Sequence, residues 1–244
     1  MASRSGPHRR NGWVFLLLLT LNLSACGNLA TVKEAWRAAT GRTPEPDGSR
    51  LNPAYQYVRF TSGTHATILF LGDRDVSAAG PLDVYYSVDG VVLKLHNGRL
   101  AGVHGFPTEW RNVVLKDAPV WRDVMQHRER QWLRVRDVMP LYQLGLQERI
   151  HTRQIAPPNI PLIKSPVTGD VIWFEDTVIE STSTTVSRHM PPARYGVVFD
   201  KGEETAVYGE QCVRVDLCFT WQLDRKSTRL NSSHVSESRM PSSA

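Results

Sequence analysis

The stretch LDVYYSVDGVVLKLHNGRLAGVHG, residues 82–105, decides the fold class of this chain. Much of it alternates apolar and polar residues with the period of two that is typical of half-buried β-strands. The turn dipeptides Asp89-Gly90 and Asn97-Gly98 interrupt the alternation. Asn-Gly suits a two-residue hairpin in which both central residues take positive φ, so that Arg99 begins the returning strand. The stretch predicts antiparallel strands joined by tight turns, with a structural role for Arg99 and a surface role as the alternative.

Similar short runs recur along the chain and are separated by clusters of Pro or Gly. They are AYQYVRF (54–60), ATILFLG (66–72), NVVLK (112–116), QWLRVRDVM (131–139), DVIWFED (170–176), YGVVFD (195–200) and CVRVDLCFTWQL (212–223). Repeated short strands without alternating helices favour an antiparallel arrangement. We therefore predict a mainly β fold, with a single antiparallel β-sandwich or barrel-like domain over residues 51–225.

The run 212–223 contains two of the three cysteines of the chain. In one continuous strand, Cys212 and Cys218 would lie about 20 Å apart, well beyond the roughly 7 Å between Cα atoms that a disulfide allows. A bridge between them would need a bend in the strand, although an oxidising compartment permits disulfides. The pattern therefore predicts two unbridged thiols on the less apolar face.

The N-terminus has the order of an export signal. A basic leader with three arginines precedes an apolar stretch from Trp13 to Leu23, and small residues follow. Eleven helical residues extend about 16 Å, too short for a hydrocarbon core of about 30 Å. The sequence Leu23-Ser24-Ala25-Cys26 resembles the bacterial lipobox, which implies removal of the signal peptide 1–25 and acylation of Cys26. An ordinary secretory signal with an incidental cysteine is the alternative.

The sequence predicts an anchor segment before the β domain and a disordered tail after it. Residues 26–50 would carry the lipid anchor, a short amphipathic helix within 29–40 and a linker rich in Pro and Gly. No aspartate follows Cys26, which by resemblance to enteric lipoproteins favours the outer membrane. Residues 226–244 are rich in Ser and poor in apolar residues, so we expect a disordered tail. This tail resembles a translated adapter and is treated as non-native.

Three stretches resemble the YjbF/GfcB family of bacterial lipoproteins: NPAYQYVRFTSGTHATILFL (52–71), VYYSVDGVVLKLHNGRLAGVHGFP (84–107) and CFTWQLD (218–224). The likeness covers about 29–225 and is strongest over 52–110. It implies a predominantly β protein that acts with partner proteins in exopolysaccharide or group 4 capsule production, without assigned catalytic residues. The family's usual final strand is absent, so the sheet would keep an exposed edge.

Other functions find less support in the sequence. The chain carries a net charge of +5, but residues 26–225 contain 23 basic and 23 acidic side chains, so the footprint of a nucleic-acid binder is missing. There is no G-x-S-x-G elbow, and the histidines lack zinc-protease spacing. Asp73 and Asp75 share a face if their segment is extended, as a glycosidase carboxylate pair would, but a solvated turn is favoured there.

Taken together, these features predict a non-enzymatic outer-membrane lipoprotein that faces the periplasm and needs no cofactor or metal. Its partners would be the membrane, through acyl chains on Cys26, and other polysaccharide assembly or export proteins. A polysaccharide-binding module is the second possibility, because aromatic rings can stack on sugars and Tyr85 and Tyr86 must face opposite ways in a strand. A glycan-modifying enzyme is the third.

Overall fold

The computed structural model describes residues 51–77, 80–162, 169–183 and 190–225. The described ranges contain twelve strands and one helix. The strands are β1 (Tyr57–Ser62), β2 (His65–Ser77), β3 (Gly80–Tyr86), β4 (Val92–His96), β5 (Arg99–His104), β6 (Glu109–Lys116), β7 (Glu129–Met139), β8 (Gln143–Ile155), β9 (Val171–Ser181), β10 (Ala193–Asp200), β11 (Glu203–Arg214) and β12 (Leu217–Arg225). The helix, α1 (Trp121–His127), lies between β6 and β7.

The strands form one antiparallel sheet in which neighbours in sequence are neighbours in space. The sheet closes on itself because β1 pairs with β12 as well as with β2. The prediction of a mainly β, antiparallel, barrel-like domain is confirmed. The prediction that a missing strand leaves an exposed edge is wrong for this sheet, because each of the twelve described strands has a neighbour on both sides.

The two turn dipeptides make different connections. His96 pairs with Arg99 across a two-residue turn, and both Asn97 (φ 48°) and Gly98 (φ 79°) have positive φ, as the sequence predicts. The turn at Asp89-Gly90 is longer, because β3 ends at Tyr86 and β4 begins at Val92. Only Gly90 has positive φ there, at 88°. The short turn fixes the pairing next to it, and a bulge between Lys94 and Leu95 then shifts the register of the rest of β4 and β5.

The prediction of one strand over 212–223 and of two unbridged thiols is wrong. The chain turns between β11 and β12, so that Cys212 pairs directly with Cys218 in the antiparallel register. Their Cα atoms are 3.8 Å apart, and the two sulfur atoms form a disulfide. The alternation of Val213, Phe219 and Trp221 had concealed the turn, because these buried residues keep the same parity on both sides of it.

The interior of the sheet is filled by apolar side chains from nearly all the strands. Phe60, Leu93, Phe174, Val197 and Phe219 have no exposed surface. A smaller apolar cluster consists of Ala101, Leu115, Trp132 and Ile150. The sequence analysis did not predict β8, most of β11 or the helix α1. Charged residues are frequent in these segments, so their apolar residues form no clear periodic pattern.

Several predicted features lie outside the described residues. These are the signal peptide 1–25, the lipidation site Cys26, the short helix within 29–40 and the tail 226–244. Among the described residues, no helix has the length and apolar character needed to cross a membrane.

Candidate functional site

The candidate site is a cluster of charged side chains buried inside the closed sheet. Alternation along β7 turns Arg134 and Arg136 inward between Trp132 and Val138, and Glu148 faces them from β8. Arg134 Nε lies 2.8 Å from Glu148 Oε2. Arg136 binds the same carboxylate through two donors, Nε at 2.9 Å and Nη2 at 2.7 Å. One carboxylate therefore serves two guanidinium groups.

This arrangement is almost fully removed from water. The side chains of Arg136 and Glu148 are 0% exposed and that of Arg134 is 5% exposed. Both guanidinium groups lie over the ring of Trp110, with Cζ atoms 4.6 Å (Arg134) and 3.9 Å (Arg136) from its centroid. The Trp110 indole donates to the carbonyl of Val213 at 3.2 Å, which holds the ring across the interior. The aromatic face replaces part of the hydration that the two cations lose.

A second buried pair, Arg99 with Asp176, joins β5 to β9. Arg99 Nε lies 3.2 Å from Asp176 Oδ2, and Arg99 Nη1 donates to the carbonyl of Pro119 at 2.9 Å. The guanidinium carbon lies 3.5 Å from the centroid of Trp121 in α1. The predicted structural role of Arg99 thus agrees with its position, and the surface role is wrong because the residue is 1% exposed.

Hydrogen bonds extend each pair further into the interior. Thr152 donates to Asp176 Oδ1 and accepts the indole N–H of Trp132 at 2.8 Å. On the other side, Gln211 Oε1 accepts long hydrogen bonds from Arg134 Nη1 at 3.5 Å and from the Tyr195 hydroxyl at 3.4 Å. Burial, and then the charge of Asp176, raise the pKa of Tyr195 far above its usual value. The hydroxyl therefore stays a neutral donor.

Counted over the described residues, the charges of this buried cluster do not balance. Three arginines (Arg99, Arg134 and Arg136) pair with two buried carboxylates, those of Asp176 and Glu148. Asp176 pairs with Arg99, whereas Glu148 is shared by two guanidinium groups, so the extra positive charge belongs to the Glu148 group. Desolvation lowers the pKa of Arg136, against the opposing effect of Glu148. Within this cluster, Arg99 Nη2 and Arg136 Nη1 are buried and have no hydrogen-bond acceptor among the described residues. Unpaired buried donors of this kind are rare and costly in folded proteins.

The outer face of the sheet carries an exposed aromatic pair. Phe70 on β2 and Tyr86 on β3 are directly opposite each other, with ring centroids 6.1 Å apart. Phe70 is 39% exposed and Tyr86 is 37% exposed. The Tyr86 ring lies over Gly72, where a Cβ atom would come within 2.6 Å of it. Tyr85 faces inward and is 2% exposed, so the predicted opposite orientation of the two tyrosines is confirmed.

The two aspartates that the sequence analysis considered as a carboxylate pair are not in a turn. Asp73 and Asp75 lie within β2, so the predicted turn is wrong, although both residues are exposed. Each carboxylate accepts the backbone N–H of the next residue, at 2.8 Å for both. In the part of the chain that the structure describes, no group of three or more His, Cys, Asp or Glu side chains is placed to hold a metal ion.

Sequence reasoning missed the Arg134–Arg136–Glu148 cluster. A signal was present, because Trp132, Arg134, Arg136 and Val138 share one parity in QWLRVRDVM. The opposite face, with Leu133 and Val135, is equally apolar, so the pattern could not decide which face is inside. Only the closure of the sheet settles that the arginines point inward.

Comparisons with known proteins add little to this picture. No family model matches the chain, and no curated protein matches it. The structure is similar to the crystal structure of the hypothetical lipoprotein YmcC from Escherichia coli K12, with 11% sequence identity and a TM-score of 0.46. The match covers 72% of this chain and 86% of that chain. A similarity this weak carries no argument about function. Membership of the YjbF/GfcB family therefore stays a prediction.

Proposed function

We propose that the protein is a lipoprotein, anchored through acyl chains on Cys26 at the periplasmic face of the outer membrane. It acts there as a non-catalytic accessory in exopolysaccharide or capsule production or export, in contact with other assembly or export proteins. The observation that carries the proposal is the lipobox-like sequence Leu23-Ser24-Ala25-Cys26 at the end of a short apolar stretch. Several acyl chains on one residue anchor a protein stably, at about 0.8 kcal/mol per buried CH₂.

The environment of the buried carboxylates supports a non-catalytic role. Glu148 is held by two guanidinium groups, and Asp176 is held by Arg99 and the hydroxyl of Thr152. The exposed Asp73 and Asp75 are each bonded to the backbone. These contacts favour structural roles for the described carboxylates.

The anchor is tested in the bacterium that makes the protein. Cys26→Ala should leave the chain unlipidated and remove it from outer-membrane fractions. Exopolysaccharide output should fall in a deletion strain and recover with the wild-type gene but not with Cys26→Ala. Mass spectrometry of mature protein that begins at another residue, without lipid, would overturn the anchor. Unchanged polymer output in the deletion strain would overturn the accessory role.

A second candidate, a polysaccharide-binding module, is favoured by the exposed Phe70–Tyr86 pair. Two neighbouring aromatic rings that are each more than a third exposed offer apolar surface for stacking against a sugar. Binding of the purified full chain to the cell's own exopolysaccharide should then weaken at least tenfold in Phe70→Ala/Tyr86→Ala. Tyr142→Ala, which removes a tyrosine that is 77% exposed elsewhere, is the matched control. Cleavage of the polymer would instead favour the third candidate, a glycan-modifying enzyme.

A further inference from the structure

We propose that Arg134 and Arg136 bind a small, singly charged oxyanion, such as a carboxylate, inside the closed sheet. The proposal is independent of the function proposed above. It assigns a ligand site to side chains that the sequence resemblance leaves without a role.

The first step is the charge of the site. Arg134 and Arg136 contact the same carboxylate, that of Glu148, so in the part of the chain that the structure describes two cations share one anion. The neighbouring pair, Arg99 with Asp176, is neutral as a unit and cannot supply a second negative charge. Transfer of a single charge into a protein interior costs several kcal/mol unless it is paired. One bound monoanion would balance the cluster.

The second step is the unused hydrogen-bonding capacity. Arg136 binds Glu148 through Nε and Nη2, and its third nitrogen, Nη1, is buried with no acceptor from the described ranges. Among the described residues, Arg134 makes one short bond to a carboxylate, at 2.8 Å to Glu148, and a long contact of 3.5 Å with Gln211. Guanidinium donors lie in one plane and match the paired oxygens of a carboxylate or another oxyanion. Arg136 Nη1 is therefore the donor that the anion would engage.

The third step is the rigidity of the donors. Trp110 lies beneath both guanidinium groups, and its own indole N–H is bonded to the backbone. Glu148 fixes the opposite edge of Arg136 through two parallel bonds. The donors are thus oriented before an anion arrives, which reduces the entropy lost on binding.

The test is equilibrium unfolding of the full chain in urea, because reversible unfolding gives the anion access to a buried site. Chloride is replaced stepwise by acetate at constant ionic strength. Once the acetate concentration exceeds its dissociation constant, the ratio of folded to unfolded protein should rise about tenfold for each tenfold rise in acetate. Glucuronate in place of acetate tests whether the carboxylate of an acidic sugar is accepted, and neutral glucose should have no effect.

Two variants locate the effect. Arg136→Lys keeps the positive charge but removes Nη1 and should abolish the acetate dependence. Arg149→Lys, on the neighbouring exposed position of β8, should retain it; Arg149 pairs with Glu180, and both side chains are more than half exposed. A flat response of the wild-type protein to both acetate and glucuronate, or an unchanged response in Arg136→Lys, would overturn the proposal. If the lysine variant does not fold, the wild-type responses to the three solutes decide alone.

Discussion

Glu148→Gln is the substitution that most directly tests the buried charge cluster. The carboxylate makes three hydrogen bonds of 2.7 to 2.9 Å with Arg134 and Arg136, and its side chain is 0% exposed. Glutamine keeps one acceptor oxygen and turns an NH₂ group toward the cations, so it loses at least one of the bonds that Oε2 or Oε1 accepts. A hydrogen bond to a charged group contributes about 1.5–3 kcal/mol, and breaking a buried ion pair costs about 3–5 kcal/mol. We expect a loss of about 4 kcal/mol in the free energy of unfolding.

The assay is equilibrium urea unfolding, followed by far-ultraviolet circular dichroism, in buffer without carboxylates. Glu180→Gln is the control, because its partner Arg149 is exposed and such surface pairs contribute about 0–1 kcal/mol. Replacing the cluster by Arg134→Met, Arg136→Met and Glu148→Leu together should restore much of the lost stability, since no unpaired charge then remains buried. A loss below about 1.5 kcal/mol in Glu148→Gln would refute the reasoning, because a buried counter-ion cannot be that dispensable.

Three further predictions concern the turns, the disulfide and the buried tyrosines. Cys218→Ser should cost about 2 kcal/mol, the loop-closure entropy of a loop of about seven residues, and dithiothreitol should destabilise the wild type but not the variant. Gly98→Ala should cost clearly more than Gly90→Ala in urea unfolding, because both glycines have positive φ but only at position 98 would the new Cβ meet another side chain; equal losses would contradict this. Burial raises the pKa of Tyr85 and Tyr195. As the pH rises, these tyrosines lose their protons at a lower pH in the unfolded chain than in the folded protein. The free energy of unfolding should therefore be at its full value below about pH 10 and fall as the pH rises above it. If all the described tyrosines show phenolate absorbance before the protein unfolds, the burial of Tyr85 and Tyr195 is contradicted.

Local patterns in the sequence were sufficient for the strands whose two faces differ. The alternation over 82–105 and the Asn97-Gly98 dipeptide identified a hairpin whose two-residue turn the structure confirms. They were sufficient because a two-residue turn and an apolar face are both properties of neighbouring residues. The lipobox-like sequence that ends at Cys26 is local in the same sense, because the acylation that it predicts depends on four adjacent residues.

Only the tertiary structure decided the features that depend on distant segments. The Cys212–Cys218 disulfide requires a turn that apolar alternation on both sides of it conceals. The inward direction of Arg134 and Arg136 follows from the closure of the sheet, since β7 is apolar on both faces. The pairing of Arg99 with Asp176 joins residues that lie 77 positions apart. Periodicity within one strand cannot show which face is inside or which strand lies opposite, because both are fixed by the packing of the whole sheet.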